Sequence, residues 1–251
     1  MAKDNTHYLY GVNTLSNLLA RVPERVLTIY IEQQRDDERI QGIVQLAQQH
    51  GISIQPVPST TFTKRLGNAV HQGVMAQVKP VPPAKEPALY EQMSQLTQPA
   101  FILCLDGVQD PHNLGACLRS ADAAGVDAVV VPRDRACGIT PTVSKVASGA
   151  AELVPFYAVT NLVRSLKALQ EQGIWCVGLA GEASTSLFDT PLKGALALVM
   201  GAEGKGLRRL TRETCDSLAH LPMYGTVSSL NVSVSTGIAL YEARRQQGMP
   251  D

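Results

Sequence analysis

The chain reads as an α/β protein: a parallel sheet with helices on both faces, preceded by a smaller α/β unit. Three observations carry this. Beyond residue 100, short fully apolar runs alternate with helical stretches, the pattern of strands buried on both faces. Before residue 80 the same alternation recurs more loosely. Between them Pro80, Pro82, Pro83, Pro87 and Pro99 interrupt the chain. Proline lacks a donor N–H and resists helix interiors, so 81–98 is expected to be a linker, with at most a short helix at Leu89–Leu96. The expected domains are therefore 1–80 and 99–251.

In the first unit, Gly11–Arg21 spaces Val12, Leu15, Leu18 and Leu19 as one helical face. Val26–Ile31 reads as a strand. Asp36–His50 places Ile40, Ile43, Val44 and Ala47 on one side of a helix stopped at Gly51, and Ile52–Val57 and Gly73–Val78 read as further strands. In the second, strands are expected at Phe101–Val108, Ala128–Val131, Phe156–Val159, Ile174–Ala180 and Ala195–Met200. Helices are expected at Asn113–Gly125, Pro141–Ala151, Asn161–Gly173 and Leu207–Asp216. Leu218–Met223 reads as a strand entering a turn, and a last helix runs to Gln247. Ligands of such sheets sit outside the carboxyl ends of the strands.

The 251 residues carry 22 Lys/Arg and 22 Asp/Glu, so nucleic-acid binding would have to use local patches. No apolar run reaches membrane-spanning length, and Met1–Thr6 lacks the apolar core of a secretion signal, so a cytosolic location is expected. Five dispersed cysteines without a C-x-x-C pair read as reduced thiols, not metal ligands, and no metal is expected. His7, His50, His71 and His220 are scattered and read as structural; His112 lies near a motif.

Three segments at expected strand ends carry the chemistry. In Asp110-Pro111-His112-Asn113-Leu114-Gly115-Ala116-Cys117-Leu118-Arg119, a polar loop enters a helix whose apolar face uses Leu114, Cys117, Leu118 and Ala121. Arg119 lies off that face, in line with Gly115 and Asp122. It reads either as a solvated partner of Asp122 or as a functional cation beside the gap at Gly115. In Gly201-Ala202-Glu203-Gly204-Lys205-Gly206, a buried strand runs into glycines and then into Arg208, Arg209 and Arg212, with Glu213 as the nearby acid. A Walker loop fails, because Gly206 stands where Ser/Thr is required. A solvated basic face and a phosphate-backbone contact both remain open for these cations. In Ser228-Ser229-Leu230-Asn231-Val232-Ser233-Val234-Ser235-Thr236, the polar groups exceed what one helix cap needs. Asn, Arg, Glu and Ser without a strong nucleophile suit the orientation of a substrate already activated elsewhere.

Taken together these segments resemble the SpoU family of RNA ribose methyltransferases, within the SPOUT superfamily. Asn113 and Arg119 match its Asn-x5-Arg motif, Gly201, Glu203 and Gly206 its G-x-E-x-x-G, and Ser229–Val234 its S-L-N-V-S-V-A, with Ser235 where Ala is usual. The resemblance implies a C-terminal trefoil-knotted domain of SPOUT type, one of the rare knotted folds, and an L30e-like RNA substrate-binding domain before it. It implies S-adenosylmethionine as methyl donor, held through Gly201, Leu221, Met223 and Leu230, and a homodimer to which Asn231–Gln247 contributes. It carries the reaction on Asn113, Arg119, Glu203, Ser229 and Asn231. RNA contacts would fall to Lys64, Arg65, His71, Lys205, Arg208 and Arg209. The context of the first motif is similar to the branch acting on a guanosine ribose in the peptidyl-transferase-centre P loop of 23S ribosomal RNA. A tRNA ribose methyltransferase and a non-catalytic RNA-binding or ribosome-assembly protein remain alternatives.

Overall fold

In the computed structural model, residues 7–35, 37–79 and 84–248 are described. The expectations for Met1–Thr6, Asp36, Pro80, Pro82 and Pro83 lie outside these. The chain forms two compact units: the part up to Pro82 together with Ile139–Leu153, and Pro83–Gly138 together with the rest from Val154.

The smaller unit holds a four-stranded sheet, in the order β1 (His7–Tyr10), β4 (Val74–Val78), β2 (Val26–Glu32), β3 (Ser53–Val57). Only β2 and β3 run parallel; β4 is antiparallel to both its neighbours. Successive side chains face opposite sides. Leu9, Ile29, Ile31, Val74, Ala76 and Val78 therefore pack with helices α1 (Val12–Arg21) and α2 (Glu38–Gln49). Tyr10, Tyr30 and Met75 pack on the other side with Phe62 of α3 (Ser59–Leu66). Asp37 starts α2 by accepting the Ile40 N–H at 3.3 Å.

The excursion Ile139–Leu153 belongs to this unit. Its helix α6 (Pro141–Val146) packs on β1. It does not run to Ala151 as the apolar spacing suggests. Ser148 and Gly149 adopt φ of 54° and 91° and break it, because an α-carbon at Gly149 must lie close to α1: a Cβ there would sit 3.1 Å from the Thr14 carbonyl oxygen. Arg25 Nη2 meets Glu152 Oε2 at 2.6 Å, with side chains only 11% and 5% exposed. The Ser144 hydroxyl donates to the other Glu152 oxygen at 2.6 Å.

The larger unit holds six parallel strands: β5 (Phe101–Asp106), β6 (Ala128–Pro132), β7 (Phe156–Val159), β8 (Trp175–Leu179), β9 (Leu196–Gly201) and β10 (Ser217–Ala219). Their order is β10-β8-β9-β5-β6-β7. Ile102, Cys104, Ala197 and Val199 share one face with α4 (Glu86–Gln95) and α7 (Leu162–Glu171). From the other side α9 (Val232–Gln247) packs on β9 and against α5 (Pro111–Ala123). The short α8 (Arg209–Thr214) lies against α7. The all-parallel sheet agrees with the expectation from the apolar runs. The five cysteines are free thiols. Burial pushes Cys117 up to about 11 and Cys176 and Cys215 to about 12, so these thiols stay protonated and unreactive near neutrality.

Candidate active site

Three strand ends converge because β5, β9 and β8 are neighbours, with β10 beside β8. Asp106 and Gly201 are Cα partners at the ends of β5 and β9. After β5, Gly107 turns with φ of 90°. Asp110 then caps α5 by accepting the His112 N–H at 2.6 Å. The helix thus begins at Pro111, two residues before the expected Asn113, with proline in the first turn, where its missing N–H costs nothing. Asn113 is held in that first turn.

After β9 the chain makes a tight loop. Ala202 and Gly206 exchange N–H···O bonds at 3.1 and 2.9 Å, and Gly204 and Gly206 take φ of 73° and 64°. The loop folds back so closely that a Cβ on Gly201 would lie 2.1 Å from the Gly206 carbonyl carbon. Glu203 is carried on this loop. Asn231 caps α9, its Oδ1 accepting the Ser233 N–H at 2.9 Å and the Ser233 hydroxyl at 2.6 Å.

That cap fixes the remaining polarity. A backbone N–H can only donate, so the oxygen of Asn231 faces Ser233 and its amide nitrogen faces away. The nitrogen donates to Asn113 Oδ1 at 2.9 Å and to Glu203 Oε1 at 3.4 Å. Asn113 Nδ2 in turn donates to Glu203 Oε2 at 2.9 Å. One residue from each motif therefore enters a single triangle, with both Glu203 oxygens engaged.

Beside it lies a cleft of about 330 Å³. Gly201, Lys205, Leu221, Met223, Ser229 and Leu230, all named as candidates from the sequence, line it together with Glu203. The lining combines Leu179, Met200 and Met223 with Gly181, Gly201, Ser228 and Ser229. Such a lining suits a flat, partly apolar ligand with polar edges. His220, read as structural from sequence, also lines the cleft, and its buried Nδ1 has no hydrogen-bond partner among the described residues. A buried orphan acceptor or donor on a cleft wall fits a site completed by a polar ligand. The cleft thus fits an adenosine-containing methyl donor.

Arg119 is not in the triangle. It lies six residues beyond Asn113, about 9 Å further along α5. It is exposed and makes no hydrogen bond or ion pair among the described residues, with Asp122 or otherwise, so its guanidinium is fully available. Gly115 is buried on the packed side of α5, a departure from the expected open gap.

The basic segment also departs from its reading. Its cations do not have Glu213 alone: Arg208 is bound by Asp106, Arg209 meets Glu213 at 2.9 Å and Arg212 meets Glu182 at 2.5 Å. Asp106 and Glu182 were not identifiable as partners from sequence, being 102 and 30 positions away. Lys205 alone of the four named cations on this segment has no partner among the described residues. In the smaller unit, Arg65 lies over the rings of Tyr8 and Tyr30, at 4.9 and 4.3 Å from their centroids. His71 stacks on Phe62 at 4.4 Å and accepts the Gly73 N–H at 3.0 Å. Lys64 is exposed on α3.

A two-part α/β chain, whose parallel sheet gathers the three motifs at one cleft, has the architecture of a SpoU-type methyltransferase. The SpoU rRNA Methylase family matches residues 100–241, and a family described as RNA 2'-O ribose methyltransferase substrate binding matches residues 8–84. The chain belongs to the SpoU rRNA methylase family. It is 52% identical over 240 residues to the 23S rRNA (guanosine-2'-O-)-methyltransferase RlmB of Pectobacterium atrosepticum, covering 96% of this chain and 98% of that protein. The RlmB of Escherichia coli K12 is 52% identical over 239 residues, covering 95% and 98%. Among solved structures, the SpoU methyltransferase AviRb of Streptomyces viridochromogenes in complex with AdoMet superposes with a TM-score of 0.77 at 23% identity, covering 96% of this chain and 90% of that one. An RNA 2'-O ribose methyltransferase gives 0.75 at 24%, covering 96% and 88%. These two likenesses show a shared two-part α/β fold.

Proposed function

We propose that this chain methylates the 2'-hydroxyl of a guanosine ribose in 23S ribosomal RNA, using S-adenosylmethionine. The observation that carries it is the Asn113–Glu203–Asn231 triangle beside the cleft, in a chain half identical over nearly its whole length to enzymes named for that reaction. The target we favour is the P loop of the peptidyl-transferase centre, and the setting is the cytoplasm, where ribosomal RNA is found.

When bound, S-adenosylmethionine supplies a methyl group already activated on a sulfonium. Gly201, Leu221, Met223 and Leu230 are its proposed holders. The protein's remaining task is to place a weakly acidic hydroxyl and accommodate its charge. A guanidinium is a donor with no acceptor site, so the role of Arg119 is to stabilise the developing alkoxide or clamp the neighbouring phosphate rather than to act as base. Glu203 is the member of the triangle able to accept a proton. Asn113 and Asn231 orient it, and Ser229 sits on the cleft wall beside them.

We assign RNA contacts to Lys64, Arg65 and His71 in an L30e-like substrate-binding domain, 1–80, and to Lys205 and Arg209 at the catalytic domain, 99–251, joined by 81–98; Arg208, also a candidate from the sequence, is left out of this set because Asp106 holds its guanidinium. Arg209 would contact RNA with a guanidinium already shared with Glu213. A homodimer is supported by the exposed apolar side chains of Tyr224, Val227, Leu230, Val234 and Tyr241 on α9 and the loop before it.

Mapping ribose methylation in RNA from cells lacking this protein tests the reading. One 23S guanosine should lose its mark and regain it on complementation. Loss of a tRNA mark instead would move the assignment to the tRNA-modifying branch, and no lost mark would favour a non-catalytic RNA-binding role.

A further inference from the structure

Asp106 ends the central strand β5 with its side chain fully buried, a costly place for a carboxylate unless its charge is met. Arg208 meets it completely. The Arg208 backbone N–H donates to one carboxylate oxygen at 2.9 Å, its Nε donates to the other at 2.6 Å, and its Nη2 contacts the same oxygen. Arg208 immediately precedes α8 and terminates the loop that leaves β9 at Gly201. Asp106 is the Cα partner of Gly201. The carboxylate therefore ties the far end of the loop back to the strand beside the one it left.

Between these fixed points the loop is cinched by the Ala202–Gly206 exchange and carries Glu203. On its other side Asp106 leads directly through Gly107 to the Asp110 cap and Asn113. Both arms of the Asn113–Glu203 hydrogen bond thus spring from one buried group.

We infer that Asp106 and Arg208 form a latch that holds the glycine-rich loop closed, and that Arg208 is a positioning residue for Glu203 rather than a phosphate contact. This rests on the methyl-transfer reading of the site. A guanidinium supplies a planar fork that one ammonium cannot reproduce. A loosened loop would displace Glu203, and misplacement of about 1 Å is enough to cost on the order of a hundredfold in rate.

The test is single-turnover methylation of 23S RNA by the full-length protein, with RNA affinity, its salt dependence and S-adenosylmethionine affinity measured alongside. Arg208→Ala should slow transfer at saturating RNA by roughly ten- to a hundredfold. RNA affinity should stay within about twofold, and its salt slope should be unaltered. Arg208→Lys should recover part of the rate. Asp106→Asn should mirror Arg208→Ala; should it fail to fold, the two Arg208 variants, whose side chain is 45% exposed, carry the test. Weakened RNA binding with a flatter salt dependence and an unchanged saturated rate would make Arg208 a phosphate contact and overturn the latch. An unchanged rate and affinity would overturn it equally. An inactive wild-type protein would instead refute the methyl-transfer reading on which the latch depends.

Discussion

Asn231 donates a 2.9 Å hydrogen bond to Asn113 across 118 positions of sequence, and the direction of that bond is set by a helix cap. The residue that starts α9 thereby reads out the amide orientation of a residue in the first turn of α5. Asn231→Asp should replace the amide nitrogen that donates to Asn113 Oδ1 and Glu203 Oε1 with a carboxylate oxygen facing both acceptors. Methyl transfer should fall by roughly two orders of magnitude, as for other mispositioned sites. The S-adenosylmethionine Kd should change little by calorimetry.

Among the described residues, the exposed Arg119 guanidinium makes no hydrogen bond or ion pair. Arg119→Ala and Arg119→Lys should both abolish turnover while leaving S-adenosylmethionine affinity nearly unchanged. Retention of most of the methylation rate in Arg119→Ala would remove it from the proposed reaction.

Gly201→Ala introduces a Cβ 2.1 Å from the Gly206 carbonyl carbon and 2.3 Å from the Leu207 nitrogen, both backbone atoms that cannot rotate away. The loop must open. S-adenosylmethionine affinity should weaken by about tenfold or more, about 1.4 kcal/mol. A calorimetric titration of the variant checks this.

Glu152→Gln breaks the nearly buried pair with Arg25, whose Nε has no hydrogen-bond partner among the described residues. A buried cation left without its counterion costs about 3–5 kcal/mol. Urea denaturation should reveal a matching loss, and proteolysis should find the smaller unit first.

Glu242 is 7% exposed on α9. Hydrogen bonding from Arg245 holds its carboxyl below the ordinary 4.5; burial opposes this, and Gln246 adds to it. A depressed carboxylate contributes stability above its unfolded value and loses it as pH falls through the folded one. Glu242→Gln should therefore flatten the fall in urea midpoint below about pH 4.5, and an identical acid limb in the two proteins would contradict the assignment.

The parallel sheet was readable because β5, β6, β7 and β9 are almost continuous apolar runs, and β7 spans the predicted Phe156–Val159; the short edge strand β10 is Ser217–Ala219 instead of the expected Leu218–Met223. The members of the triangle, Asn113, Glu203 and Asn231, were named from the sequence through the resemblance of their three motifs to a known family, whereas their mutual hydrogen bonds span 28 to 118 positions and are not encoded by local spacing. Other features were hidden for physical reasons. Helix α3 begins Ser-Thr-Thr-Phe-Thr, residues of modest helix propensity, and forms by seating Phe62 against Tyr10, Tyr30 and Met75. Strand β1 is four residues long, too short for alternation to declare itself. The partner of Arg208 lies on a strand of apolar run, where Asp106 reads as its polar end. The break after α6 depends on the approach of Gly149 to α1, a contact that local spacing does not encode.

The smaller unit is assembled from two stretches of chain, and the second, Ile139–Leu153, falls within the residues matched as methylase. Its boundary is therefore not a cut point. Removing residues 1–80 to isolate the catalytic half would strip Glu152 of Arg25 and bare Val143, Ala147 and Ala150, all buried against their surroundings. A chimera that exchanges this unit with a relative must transplant both stretches as a matched pair, so inheritance of a new RNA specificity by a single crossover would leave a mismatched seam inside the transplanted module.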